Sequence, residues 1–391
     1  MRRTKQEKIL ILTVSIFLFL VVNLAADFIR QKYYFQGSIY AEKYSEEQIK
    51  FSKTHGNKVH PFYGLSSASI SGFDSSLSSE NNFMNVSPSK SEKSIKILVL
   101  GGSVAAHLSM KRPDNTKDYL FSRELNNYFN TDRFIVYNAA FGGGKQPQQY
   151  FKLLYLNLLG FTPDLVINYD GFNEIALPFA ENLERDINAI YPRAFDQSIL
   201  GSLYDGACFP LNNKLLSFNS YLPIFELPKW MYVRKCHNRV MGAQKKIIFH
   251  SHELFKEEKL NYLERVKLIW SKSSNMISQH LELKNIPYIH VLQPNQYFLG
   301  SKKLTKIELE KFYNYMPYKK PIESYYGMLS MQELNVKNKI DQRYLFKEEP
   351  RTVYSDNCCH FNKLGMKIII RDIIERASPI FLKLLQNEKV D

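Results

Sequence analysis

The chain has 391 residues, 45% apolar and 23% charged, which excludes a wholly disordered or fibrous protein and suffices for one large α/β domain or two smaller ones. Its formal net charge is +14, from 52 Lys and Arg against 38 Asp and Glu. The lysines are scattered and no nucleic-acid motif accompanies them. The charge therefore fits an anionic glycan or lipid surface, or simply a lysine-rich proteome, and nucleic acid is set aside.

Ile9 to Ala26 is an 18-residue apolar run preceded by Arg2, Arg3, Lys5 and Lys8. That length just spans a bilayer, and the basic flank is expected to stay in the cytoplasm. A cleaved signal peptide is the rival reading, but Leu24-Ala25-Ala26 is a poor cleavage site and the run is long. The expectation is an uncleaved single-pass anchor (1–26), with the rest of the chain extracytoplasmic. Residues 27–94 form a juxtamembrane segment and linker, with helical character around Ala41 to Ser52 and a Ser/Asn-rich stretch over 66–94.

A domain over 95–391 follows. Ile95-Lys96-Ile97-Leu98-Val99-Leu100 reads as a central parallel strand running into Gly101-Gly102-Ser103. Ser103 would stand where a strand ends and a helix begins, the edge at which open α/β sheets bind ligands, and it is the candidate nucleophile. The pattern predicts helices after Ser103, around Asp118 to Phe129 and over Gln148 to Leu159. It predicts strands over Phe134 to Tyr137, ending at Asn138, and over Asp164 to Tyr169, ending at Asp170-Gly171. Three strand–loop–helix units in succession argue for a doubly wound parallel sheet. An aromatic insertion is expected at about 176–249, then a helix from Leu254 to Leu283 and a strand from Ile286 to Leu292. Residues 304–348 read as mostly helical, and a final helix as Lys363 to Leu385.

Four cysteines are present, Cys208, Cys236, Cys358 and Cys359. Adjacent cysteines bridge each other poorly, so a bridge from Cys358 or Cys359 to Cys208 or Cys236 is expected. No CxxC spacing supports zinc, and no cofactor is implied.

A serine hydroxyl needs a base, and His360 stands in a loop before the last helix with Asp356 one turn earlier. Asp356 could hold the imidazole so that its other nitrogen faces Ser103. Taken alone, such a histidine is more often a cap on the last helix or a side chain packed on its loop. Donors for an oxyanion are available in Asn138-Ala139-Ala140-Phe141-Gly142-Gly143-Gly144 and in the side chain of Asn173. The strand–glycine start lacks the third glycine of a dinucleotide fingerprint and any Walker lysine, so nucleotide chemistry is set aside.

Together Gly101-Gly102-Ser103, the glycine loop after Asn138, Gly171-Phe172-Asn173-Glu174 and Asp356…His360 resemble the four blocks of the SGNH (GDSL-type) hydrolase superfamily. Short segments around His60-Pro61-Phe62-Tyr63-Gly64 and Leu292-Gln293-Pro294-Asn295 are similar to its membrane-anchored branches. The resemblance implies a flavodoxin-like three-layer α/β/α sandwich and ester chemistry. It implies Ser103 as nucleophile, His360 as base, and the Ser103 N–H, Gly143 and Asn173 as oxyanion hole. It further implies an acylated (acetylated) glycan or lipid as substrate and, for a transferase, a membrane protein supplying the acyl donor. The sequence departs from the pattern in having Gly102 for aspartate and Glu174 for aspartate. Asn357 also stands three residues before the histidine, where the acid is usual, with Asp356 four before. Either an Asp356 triad or a Ser–His dyad follows, and a non-catalytic carbohydrate-binding protein on the same fold is the alternative class.

Overall fold

The computed structural model describes residues 4–29, 57–60, 62, 64–67, 85–86, 94–109, 120–185, 187–193 and 259–386. The chain divides into two compact units, 1–56 with 196–250, and 57–195 with 251–391. In the first unit the described segment is helix α1 (Lys5–Ile29), whose Leu10–Phe28 portion is long and apolar enough to cross a membrane. The polar side chain of Asn23 in α1 donates to the Phe19 carbonyl within the same helix, at 2.8 Å.

The second unit begins with an antiparallel pair, β1 (Asn57–His60) and β2 (Gly64–Ser67). Its body is a six-stranded sheet in the order β3-β5-β4-β6-β7-β8, made of β3 (Asn85–Val86), β4 (Ile95–Gly101), β5 (Phe134–Asn138), β6 (Leu165–Asp170), β7 (Tyr288–Leu292) and β8 (Asn338–Asp341). Every pairing from β5 to β8 is parallel, and β3 joins β5 antiparallel at the edge. The five parallel strands thus run 2-1-3-4-5, the order of the flavodoxin-like fold that the resemblance implies. Its winding reverses between β4 and β6.

Burial explains which strands the sequence revealed. Residues 97–101 and all of β5, β6 and β7 are buried, which forces the apolar runs that mark central strands. Helix α3 (Leu120–Tyr128) packs with α9 (Lys363–Arg376), and α4 (Gln148–Leu158) packs with α6 (Tyr262–Glu282). Between them, Phe121, Leu125, Ile369 and Ile373 on one pair of helices and Leu153, Leu156, Trp270 and Ile277 on the other are all but sealed from solvent.

Several expectations are corrected. The stretch 304–348 contains helices α7 (Lys306–Lys311) and α8 (Met316–Tyr325), but it also contributes edge strand β8, which buries only Ile340 and so carries almost no apolar signal. The last helix is two, α9 and α10 (Ser378–Gln386), parted at Ala377 just before Pro379. Within the expected linker 66–94, Asn85 and Val86 pair with Tyr137 and Asn138. Ala176, Leu177 and Asn182, placed at the start of the insertion, are fully buried in the core. The helix expected around 41–52, residues 194–258 and both Cys208 and Cys236 lie outside the described residues. Cys358 and Cys359 are free thiols among the described residues, and the other end of the expected bridge, Cys208 or Cys236, lies outside them.

Candidate functional site

The site is assembled at the carboxyl ends of β4, β5 and β6, beside the point where the winding reverses. Gly101 leaves β4 at φ +145°, and a Cβ there would fall 2.2 Å from the Tyr169 carbonyl oxygen. A Cβ on Gly102 would fall 2.1 Å from Asn173 Nδ2. Only glycine permits both approaches, and the pair delivers Ser103 at the first position of the short helix α2 (Ser103–Ala106).

His360 Nε2 lies 2.7 Å from Ser103 Oγ, and His360 Nδ1 is hydrogen-bonded to Asp356 Oδ2. The carboxylate is itself held. Its Oδ1 accepts from the backbone N–H groups of Cys358, Cys359 and His360 at 2.9, 3.1 and 3.2 Å. Burial alone would raise the pKa of Asp356. The hydrogen bond and charge of His360 and the backbone donors outweigh it and bring the carboxyl down to about 2. Asn357 enters this turn through its backbone, since its carbonyl accepts from the Tyr297 hydroxyl. The turn closes where Tyr354 bridges Phe361 and the Ser355 N–H donates to the His360 carbonyl. His360 is no helix cap, for Asn362 Oδ1 caps α9 by accepting from Gly365 N at 3.0 Å.

The predicted oxyanion donors gather on the other side of the Gly101-Gly102 turn. The Phe141 N–H donates to the Gly101 carbonyl, and Asn173 Nδ2 donates to the Gly144 carbonyl at 2.8 Å. Gly143, at φ +75°, lies in the same loop with the Arg193 side chain packed across it. Glu174 ties the loops together. Its carboxylate accepts from Gly171 N at 2.7 Å, Gln146 N at 3.1 Å and Gln149 Nε2 at 3.2 Å. Burial and then the charge of Asp170 push Glu174 up to about 8, while burial brings the neighbouring Lys145 down to about 7.

Three contributors were not anticipated. His107 stacks on His360 with ring centroids 4.6 Å apart, and burial followed by the charge of His360 lowers it to about 4. It sits four residues after Ser103, a helical spacing that could have drawn attention to it. Glu308 Oε1 accepts from Val353 N and Tyr354 N at 2.8 and 3.1 Å, anchoring the chain that leads into the His360 turn. Glu308 in turn pairs with Lys302 at 3.1 Å, both side chains sealed from solvent. No spacing in the sequence links position 308 to 353.

A second chain of Ser274, His290 and Asp170 resembles this arrangement but is wholly buried. His290 Nδ1 meets Ser274 Oγ at 2.6 Å and His290 Nε2 meets Asp170 Oδ1 at 3.0 Å. No substrate reaches it, and it ties β7 to β6 and α6.

Fold and geometry together define an α/β protein with a serine–histidine–aspartate constellation at its winding reversal. No protein-family model matches the chain, and no curated protein matches it by sequence. Among solved structures it is similar to the acetylxylan esterase Axe2 from Geobacillus stearothermophilus, at 12% identity over 73% of this chain and 96% of that one, with a TM-score of 0.35. It is similar to a lipase/acylhydrolase from Enterococcus faecalis at 12% identity, 73% and 96% coverage and a TM-score of 0.33. It is also similar to LAE5, an α/β hydrolase from the metagenome of Lake Arreo, at 11% identity, 73% and 95% coverage and a TM-score of 0.35. These likenesses concern the fold, and the functional reading rests on the side chains of this chain.

Proposed function

We propose that the chain is a membrane-anchored serine esterase or O-acyltransferase acting outside the cytoplasm on acyl esters, acetyl above all, of a glycan or lipid. One observation carries the reading: the unbroken hydrogen-bond chain from Ser103 Oγ through His360 to Asp356, itself fixed by three backbone donors. In the proposed cycle Ser103 Oγ attacks the ester carbonyl as His360 Nε2 takes its proton, and Asp356 stabilises the imidazolium. The N–H groups of Ser103 and Gly143 and the second amide hydrogen of Asn173 hold the oxyanion. Collapse expels the alcohol, which receives the proton from His360. Water or an acceptor hydroxyl then repeats the sequence on the acyl-enzyme, giving hydrolysis or transfer. The apolar run of α1 and its basic flank support the anchored topology.

Covalent labelling with a fluorophosphonate, read by intact mass, tests the reading. Wild type is expected to gain one adduct, Ser103→Ala none, and His360→Ala an adduct only at a rate lower by about 10²-fold or more. A folded wild-type protein that takes up no label would overturn the reading and favour a binding role.

A further inference from the structure

Cys358 and Cys359 separate Asp356-Asn357 from His360, and acyl transfer gives their thiols no task. The two Sγ atoms lie 2.8 Å apart, both thiols are free, and only Cys358 is partly exposed. The backbone N–H groups of these same residues donate to Asp356 Oδ1, and the Cys359 thiol interacts with the Ser103 side chain. Among the described residues no other cysteine is present.

We infer that Cys358 and Cys359 are a redox-modification site, a vicinal dithiol that an external disulfide converts to a Cys358–Cys359 disulfide, slowing the adjacent Ser103–His360 pair. The effect on rate rests on the esterase reading, whereas the bond itself does not. Access sets the order of events. Cys358, as thiolate, attacks one sulfur of the external disulfide and expels the other half as a thiolate. Burial pushes the Cys359 thiol well above its usual range, so it does not react first; its place 2.8 Å from the Cys358 sulfur is what gives it the second, intramolecular step. Its sulfur attacks the Cys358 sulfur of the mixed disulfide and expels the remaining half. One external S–S bond and two protein S–H bonds become one internal S–S bond and two external thiols, which carry both protons.

The consequence follows from ring geometry. Cα atoms joined by one trans peptide are ~3.8 Å apart, short of the ~4.4–6.8 Å that a relaxed disulfide spans. Closing the ring therefore twists the 358–359 peptide. The N–H of that peptide is one of the three donors on Asp356, so the carboxylate loosens and His360 loses its fixed orientation. Strain of this kind also makes the bond easy to reduce, as a reversible switch requires.

The full-length protein in detergent is reduced, exchanged into glutathione disulfide and digested with trypsin. Cleavage after Arg351 and Lys363 releases a peptide holding both cysteines and no third. The expected result is loss of two hydrogens from this peptide and a fall of about tenfold or more in fluorophosphonate labelling, restored by dithiothreitol. Cys358→Ser, which keeps the backbone donor, is expected to label at one rate in either condition. A peptide that keeps both hydrogens, that is cross-linked to Cys208 or Cys236, or that is oxidised with no change in labelling would overturn the inference. If reduced wild type does not label at all, the esterase reading fails on its own. Amide hydrogen exchange over 352–363 then decides: faster exchange in the oxidised form upholds the switch, and equal exchange overturns it.

Discussion

The acid of the constellation shows how a one-residue offset is absorbed. Asp356 turns its Oδ1 into a cup of three N–H groups, which leaves Oδ2 for His360, whereas Asn357 contributes only a carbonyl to Tyr297. Asp356→Ala is therefore expected to lower ester turnover by about 10²–10⁴-fold. Asn357→Ala should stay within about threefold, because the backbone carbonyl survives; steady-state kinetics on an aryl acetate reads both, and the reverse ranking would remove Asp356 from its assigned role. His107 gives a second test at this scale, through pH. Its folded-state pKa is lowered, so above the unfolded value of 6.5 it is neutral in both states and its contribution is complete. As pH falls from 6.5 towards about 4 the unfolded chain takes up a proton that the folded one refuses, and stability declines. His107→Phe keeps a stacked ring without the titration. The difference in urea midpoint between variant and wild type should shift steadily in the variant's favour across that window, and a difference that stays constant with pH would contradict the assignment.

At the scale of elements, the His360 turn hangs on a pair far from it in sequence. Glu308 caps the N-terminus of α7 in a box with Thr305, pairs with Lys302 and receives two N–H groups from the segment entering the turn. Glu308→Gln leaves a buried ammonium without its counter-ion, and a loss of about 3 kcal/mol in urea unfolding is expected. A loss below about 1 kcal/mol would mean that the pair is replaceable by neutral hydrogen bonding. The same residue marks the limit of what the sequence made legible. Strands β4 to β7 were readable because burial on both faces demands unbroken apolar runs, and the glycines of 101–102 and 171 because the backbone can pass only there. Ser103, His360 and Asn173 could be named because each sits at a strand or loop end with a distinctive local pattern. Edge strands β3 and β8 escaped because one is two residues long and the other buries a single isoleucine. Glu308, Lys302 and Tyr297 escaped because their contacts to the turn span dozens of residues and leave no periodic trace.

At the scale of the whole chain, the described residues hold one helix long and apolar enough to cross a membrane, and the sheet unit follows it in sequence. The Leu10–Phe28 stretch is 19 residues with a mean hydropathy of 2.3. At ~1.5 Å per residue it reaches about 28 Å, close to the ~30 Å hydrocarbon core of a bilayer. Of the two polar side chains in its second half, Asn23 and Asp27, Asn23 is hydrogen-bonded to Phe19 within the helix, which lowers the cost of placing it in lipid, and Asp27 stands one residue from the end of the stretch. On the anchored reading proposed above, Arg2, Arg3, Lys5 and Lys8 would hold the preceding end in the cytoplasm and place residues 57–386 on the other side. A cleaved leader makes a different prediction from an anchor, and the two separate cleanly. An anchored chain resists alkaline extraction from membranes, keeps peptides from the 9–26 region in its purified form, and gives an active alkaline phosphatase when that reporter is fused after residue 386. Deleting residues 1–29 should then release a soluble protein that still takes the fluorophosphonate, because the serine, the histidine turn and the oxyanion loops all belong to the unit that begins at Asn57. Recovery of a mature protein beginning near residue 27 would instead make α1 a leader. An inactive reporter fusion would overturn the orientation, and with it the oxidising surroundings in which the paired thiols of 358 and 359 would be set.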